Sequence, residues 1–230
     1  MDVAGYIDHT NLKPDTGQKG IIKLCEEAAQ WGFFSVCVNS CHVALASRFL
    51  SGTGVKVCSV VGFPLGAGST EAKACEAELA ANDGAAEIDM VINIGAMKDG
   101  RYDFVREDIN RVAKLASNCT IKVILETCLL TESEKERACS LVVEAGAHFV
   151  KTSTGFSTGG ANASDVKLLR KAVGADFGVK ASGGVRNLAG ALEMIKAGAN
   201  RLGTSASVAI CEEMRQIENN FKDIDIINTK

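Results

Sequence analysis

Four lysines of the 230-residue chain sit in apolar, strand-like runs: Lys56 in VKVCSVVG, Lys122 in IKVILET, Lys151 in HFVKTSTG and Lys180 in GVKASGG. A lysine in such a run must pair its charge, lead it out to water or lose it. A lysine that has lost its proton is a nucleophile for carbonyl carbon and forms a Schiff base. Asp89, in AEIDMVIN, is a carboxylate in the same kind of run, suited to balancing a lysine's charge and relaying protons. The plain alternative is a structural ion pair, the commoner fate of a Lys–Asp pair.

Whether these residues meet depends on the elements that carry them. Short β-rich runs alternate with amphipathic helical ones. The β-like runs are 5–10, 33–39, 55–62, 86–93, 120–127, 148–155, 177–184 and 201–206. Helical segments lie between them: GIIKLCEEAAQWG, STEAKACEAELAANDGA with Ser69 or Thr70 as N-cap, TESEKERACSLVVEAGA with an acidic first turn, NASDVKLLRKAVGA and NLAGALEMIKAGA. NDGAAEI, EAGAHFV and KAGANRL repeat one phrase, a glycine stop, an alanine and the next strand. Alternating β and α units predict a parallel sheet. Eight units predict an α/β fold, a single-domain (β/α)8 TIM barrel over residues 1–230. A doubly wound open sheet is the alternative, but the glycine fingerprint it should carry after the first strand is missing.

The barrel sorts the lysines. Catalytic groups sit at the C-terminal ends of barrel strands, and the opposite face serves stability. Lys56 and Lys122 come early in their strands, which puts them at the bottom, paired or reaching out to water. Lys151 and Lys180 come late, which puts them at the top. Side chains alternate along a strand. Lys151 therefore shares a face with Phe149 and Ser153, Lys180 with Gly178 and Ser182, and Asp89 with Glu87, Val91 and Asn93. Two inward lysines at one mouth repel, which lowers one pKa. The residues alone do not say which of the two is the nucleophile. Phosphate sites in such barrels favour the loops after strands 7 and 8, here SGGVRN and GTSASV. Gly183 and Gly184 permit close backbone approach, and Gly203, Thr204 and Ser205 precede a helix whose free N–H groups attract anions.

Composition narrows the class. A net charge of −3 argues against a nucleic-acid partner. No apolar run is long enough to span a bilayer, and MDVAGYIDHT lacks the features of a signal peptide. A cytoplasmic location is expected. The nine cysteines are scattered singly and mostly on apolar positions, which predicts reduced core thiols. Cys37, Cys41 and His42 form a C-x3-C-H cluster with no second pair at metal-site spacing, so no metal is expected.

KTSTGF (151–156), VKASGGVRN (179–187), EIDMVINIG (87–95), IDHT (7–10) and RLGTS (201–205) together resemble deoxyribose-phosphate aldolase, in order and over nearly the whole chain. The resemblance implies a (β/α)8 class I aldolase, a lyase of deoxyribonucleotide catabolism that reversibly cleaves 2-deoxy-D-ribose 5-phosphate to acetaldehyde and D-glyceraldehyde 3-phosphate. It implies Lys151 as the Schiff-base lysine, Lys180 as its pKa-perturbing partner and Asp89 as a proton relay. Asp8, Thr10, Cys37 and Thr154 would border the substrate, and Gly155, Gly183, Gly184, Thr204 and Ser205 would hold phosphate. It implies no metal or organic cofactor and a homodimer or homotetramer. The chain departs from the pattern at Asn11, where leucine is frequent, and at Ala206, where serine is frequent. It ends in IINTK, with no tyrosine in the tail. Another Schiff-base barrel aldolase, or a phosphosugar-binding barrel without chemistry, is the competing reading.

Overall fold

The computed structural model describes residues 2–228, so the ends of the expected 1–230 domain and of the IINTK tail lie outside it. Its eight strands are β1 (Ile7–Thr10), β2 (Ser35–Val38), β3 (Lys56–Val61), β4 (Glu87–Val91), β5 (Thr120–Ile124), β6 (Phe149–Lys151), β7 (Gly178–Ser182) and β8 (Arg201–Thr204). All neighbours are parallel and in sequence order, and β8 closes onto β1. Each β-like run holds one strand, trimmed at its ends. The run 148–155 keeps only Phe149–Lys151, and the TSTG that follows leaves the ladder to shape the mouth.

The connecting helices are α1 (Gln18–Trp31), α2 (Val43–Leu50), α3 (Thr70–Asn82), α4 (Ile94–Lys98), α5 (Tyr102–Leu115), α6 (Glu132–Glu144), α7 (Ala163–Val173), α8 (Leu188–Ala197) and α9 (Ser207–Asn228). The five expected helices are present. Ser69 caps α3, Thr131 and Glu134 form a capping box on α6, and α1 stops at Gly32 in the left-handed region. The sequence reading did not single out α2, α4 and α5; α2 and α5 have no side-chain cap to mark their starts, and α4, capped by Asn93, is only five residues long.

The apolar core lies between sheet and helices. Ile88, Met90, Val123, Val150, Val179 and Leu202 point outward from the strands and are fully buried against the helices. Each such side chain contributes roughly 1.5–3 kcal/mol. The barrel interior is different. Barrels of this type are usually filled by branched apolar residues. Here an apolar cluster, Cys37, Cys58, Val60 and Leu12, lies nearest β2 and β3, and the other strands bring charged side chains inward beside a few apolar ones. Asp89 is level with Lys122, Phe149 and Gly178, and one layer higher Ile124, Lys151, Lys180 and Arg201 are level.

This register corrects one expectation. Lys56 does lie exposed at the bottom, its ammonium 4.9 Å from the centre of the Phe34 ring. Lys122 is fully buried in the barrel's middle. It stands beside Asp89 on the neighbouring strand, and its long stem carries the ammonium into the interior network. Gly178 makes room for the ring of Phe149, which a Cβ at that position would meet at 2.2 Å, and not for Lys180.

Candidate active site

Seven charged side chains fill the barrel interior. Asp89 is the hub: its Oδ2 accepts from Lys151 Nζ (2.8 Å) and Lys180 Nζ (2.7 Å), its Oδ1 from Lys122 Nζ (2.8 Å). Asp8 takes a second bond from Lys180, and its Oδ1 accepts from Ser35 Oγ (2.7 Å) and Arg201 Nη1 (3.0 Å). Glu87 lies 2.6 Å from Lys122 Nζ and 3.0 Å from Arg201 Nη1. The guanidinium of Arg201 lies 3.3 Å from the centre of the Phe34 ring, which closes the cluster from below.

Burial alone would raise the Asp89 pKa, but Lys122, Lys151 and Lys180 outweigh it and hold the carboxyl well below the ordinary carboxylate range. Asp8 behaves likewise, burial being outweighed by Lys180, Lys122 and Arg201. For Lys180, burial favours the neutral amine, but Asp8 and Asp89 prevail and keep it charged. Lys122 is held charged in the same way, burial being overcome first by Asp89. Lys122, Lys151, Lys180 and Arg201 thus face three carboxylates, Asp8, Glu87 and Asp89. The cluster holds one cation more than it has carboxylates. Lys180 is gripped by two carboxylates, whereas Lys151 has one shared oxygen.

Above the cluster opens a cavity of about 620 Å³, the size of a small-molecule site. Of the three clustered lysines only Lys151 lines it, together with Thr10, Thr154, Gly155, Gly183, Gly184, Thr204 and Ser205. Those expected residues are brought together. Asp8, Cys37, Asp89 and Lys180 lie beneath, fully buried, and do not border the cavity. The Thr204 hydroxyl is turned to backbone, donating to Val185 O (2.6 Å) and accepting from Ala206 N (3.0 Å), so Thr204 shapes the turn. Asn11 Oδ1 accepts from Thr16 Oγ1 (2.8 Å), which fixes its own loop at the rim. The loops after β6 and β7 meet glycine on glycine. A Cβ on Gly160 would sit 2.3 Å from Gly183 O, and Gly183 itself has φ +86°.

Thiol and carboxylate atoms of Cys37, Cys58 and Asp89 lie within 4.8 Å of one another, a donor set that could in principle take a cation. Both Asp89 oxygens already accept from lysine ammonium groups, so a cation there would have to displace them. Cys41 is exposed while Cys37 is buried, and the C-x3-C-H cluster does not converge.

Residues 3–213 match the model of the DeoC/LacD family aldolases. The deoxyribose-phosphate aldolase of Thermococcus gammatolerans is 60% identical over 222 residues, covering 95% of this chain and 99% of that one. The chain belongs to the DeoC/LacD aldolase family. The deoxyribose-phosphate aldolase of Clostridium tetani is 55% identical over 94% of this chain and all of its own. A solved structure described as a unique tetrameric deoxyribose phosphate aldolase from Aeropyrum pernix superposes with a TM-score of 0.88 at 33% identity, covering 94% of this chain and 92% of that one. The resemblance seen in five short motifs therefore extends over the fold and nearly the whole length.

Within this DeoC/LacD chain the sequence reading missed several groups. Lys122 was placed at the wrong depth, Glu87 was noted only as sharing Asp89's face, and Arg201 was seen only as part of RLGTS. Arg186 borders the cavity from the β7–α8 loop. Glu126, with φ +56° in a non-glycine residue, is buried at the end of β5. Its carboxylate accepts from the Thr154 hydroxyl and backbone N–H, clamping the turn that follows Lys151. Backbone strain of this kind persists where surrounding structure over-determines it. Gly203 is a further case: a Cβ there would lie 3.0 Å from Lys180 Cε and 2.9 Å from Ser182 Cβ. Gly203→Ala is expected to push Lys180 off its carboxylates. The aldolase rate should fall by about 10-fold or more, since misplacement by an ångström can cost 100-fold, while the Gly178 side of the barrel stays intact. Steady-state kinetics against wild type checks this.

Proposed function

We propose that the chain reversibly cleaves 2-deoxy-D-ribose 5-phosphate to acetaldehyde and D-glyceraldehyde 3-phosphate through a Schiff base on Lys151, the reaction for which its T. gammatolerans and C. tetani relatives are named. One observation carries the assignment of the nucleophile: Lys151 alone among three clustered lysines opens into the cavity.

Neutral Lys151 attacks the C1 aldehyde of the open-chain sugar. Lys180, held charged by Asp8 and Asp89, is placed to donate the proton on which water leaves the carbinolamine, with Asp89 as the conduit between the two amines. The iminium is an electron sink. Loss of the C3 hydroxyl proton breaks the C2–C3 bond and frees glyceraldehyde 3-phosphate, leaving the enamine of acetaldehyde. Protonation at C2 and hydrolysis return the free lysine. The lysine itself supplies the electron sink, so the steps need no cofactor. Gly155, Gly183, Gly184 and Ser205, with Arg186 beside them, line the end of the cavity assigned to phosphate. Ala206 O accepts from Ile210 N and so opens α9. Alanine offers no side-chain oxygen to the first N–H groups of that helix, which favours an external anion.

The proposal includes a cytoplasmic homodimer or homotetramer. The A. pernix relative is described as tetrameric, and no helix among the described residues is long and apolar enough to cross a membrane. Incubation with deoxyribose 5-phosphate is expected to release acetaldehyde, measured by a coupled dehydrogenase assay. Fructose 1,6-bisphosphate should not turn over. Cleavage of another donor without acetaldehyde release would favour a different Schiff-base aldolase and overturn this one.

A further inference from the structure

The IDHT segment has a member that the chemistry above leaves unused. His9 is buried in β1, borders the cavity, and is hydrogen-bonded at both ring nitrogens. Nδ1 is 2.8 Å from Ser207 Oγ and Nε2 is 2.9 Å from Glu27 Oε2. The Phe33 ring packs against it at 5.1 Å between centroids. Glu27, on α1, also pairs with Lys23 at 3.6 Å. Ser207 is the first residue of α9, fully buried, and its hydroxyl lies 3.1 Å from the carbonyl of Thr204, the last residue of β8. One side chain thus links α1, β1 and both ends of the 204–207 turn.

We propose that His9 is a positioning residue for the phosphate end of the cavity, holding the 204–207 turn and the start of α9 in place through Ser207 while Glu27 fixes the ring. The turn needs such a brace. Ser205 is exposed on the cavity wall, and Ala206 has no side chain with which to cap the helix it opens. A buried two-sided hydrogen bond restricts an imidazole to one orientation, and through Ser207 that orientation sets where Ser205 and the free N–H groups point. The inference rests on the phosphate reading above.

Two substitutions separate the two bonds. Asparagine at position 9 places its amide where Nδ1 stood and keeps the Ser207 bond. Glutamine reaches the Nε2 position and keeps the Glu27 bond. Affinity for inorganic phosphate, titrated by calorimetry or phosphorus NMR, is expected to fall about 10-fold in His9→Gln and Ser207→Ala, the loss of one net hydrogen bond, and to be largely retained in His9→Asn. The ratio of kcat/KM for deoxyribose 5-phosphate to that for deoxyribose should fall in the same pattern. Equal losses with both sugars, phosphate affinity unchanged in His9→Gln and Ser207→Ala, or wild-type protein that binds no phosphate would each overturn the proposal. If wild type binds phosphate and the variants follow the pattern, but deoxyribose 5-phosphate is not cleaved, the positioning role stands and the assigned substrate fails.

Discussion

Lys151→Met is expected to lose at least about four orders of magnitude in aldol cleavage, the scale on which removal of a covalent nucleophile is felt. It is also expected to fold as stably as wild type or more so. That second half follows from the charge count. Four cations face three carboxylates in the barrel, and Asp89 Oδ2 keeps Lys180 after Lys151 is gone. Replacing the surplus cation with an apolar side chain of similar length relieves a buried excess charge. Thermal unfolding of the variant therefore tests the count independently of the rate. A marked drop in Tm with activity intact would show Lys151 to be a strut of the network.

Asp89→Asn is the opposite case. It removes the one group on which Lys122, Lys151 and Lys180 converge. Leaving buried charge uncompensated costs about 3–5 kcal/mol, and in a chain of this length each kcal/mol lowers Tm by roughly 2–4 °C. Activity should fall by about 1000-fold, because the proton conduit between Lys180 and Lys151 is lost as well. The pH dependence has a definite sign. Asp89 and Asp8 are held below their ordinary 3.8 in the folded chain, so their contribution to stability is present above that value and is lost as pH falls through the folded-state values. The asparagine variant should lack Asp89's share of this acid sensitivity, so its stability should fall less steeply below about pH 4 than that of wild type. Chemical denaturation at several pH values measures both effects.

Much of this was legible from strand position and parity. A period of two gave Lys151, Lys180 and Asp89 their face-mates but not which face is inward, and lateness in the strand predicted both lysines at the mouth. In the barrel all three point inward, Lys151 reaches the cavity and Lys180 lies buried beneath it. Depth was not legible for Lys122. A position early in β5 says where its Cα lies, but register with β4 sets it beside Asp89, and register is a property of the closed sheet. Arg201 was hidden for a similar reason, since its partners Asp8 and Glu87 lie 193 and 114 residues away in sequence. The glycines show the same limit: in the sequence Gly178 shares a face with Lys180 and Gly203 precedes a helix, yet Gly178 makes room for Phe149 and Gly203 for Lys180. Resemblance alone tells Lys151 from Lys180 in the sequence; that Lys151 borders the cavity and Lys180 does not supports the proposed roles.

The most direct test of the central claim is reductive trapping. Protein treated with acetaldehyde and borohydride, then digested and sequenced by mass spectrometry, is expected to carry one added ethyl group, on Lys151. Lys180 should stay unmodified, because Asp8 and Asp89 keep it charged and it does not reach the cavity. An adduct on Lys180 with Lys151 untouched, or no adduct in a protein that turns over deoxyribose 5-phosphate, would contradict the account.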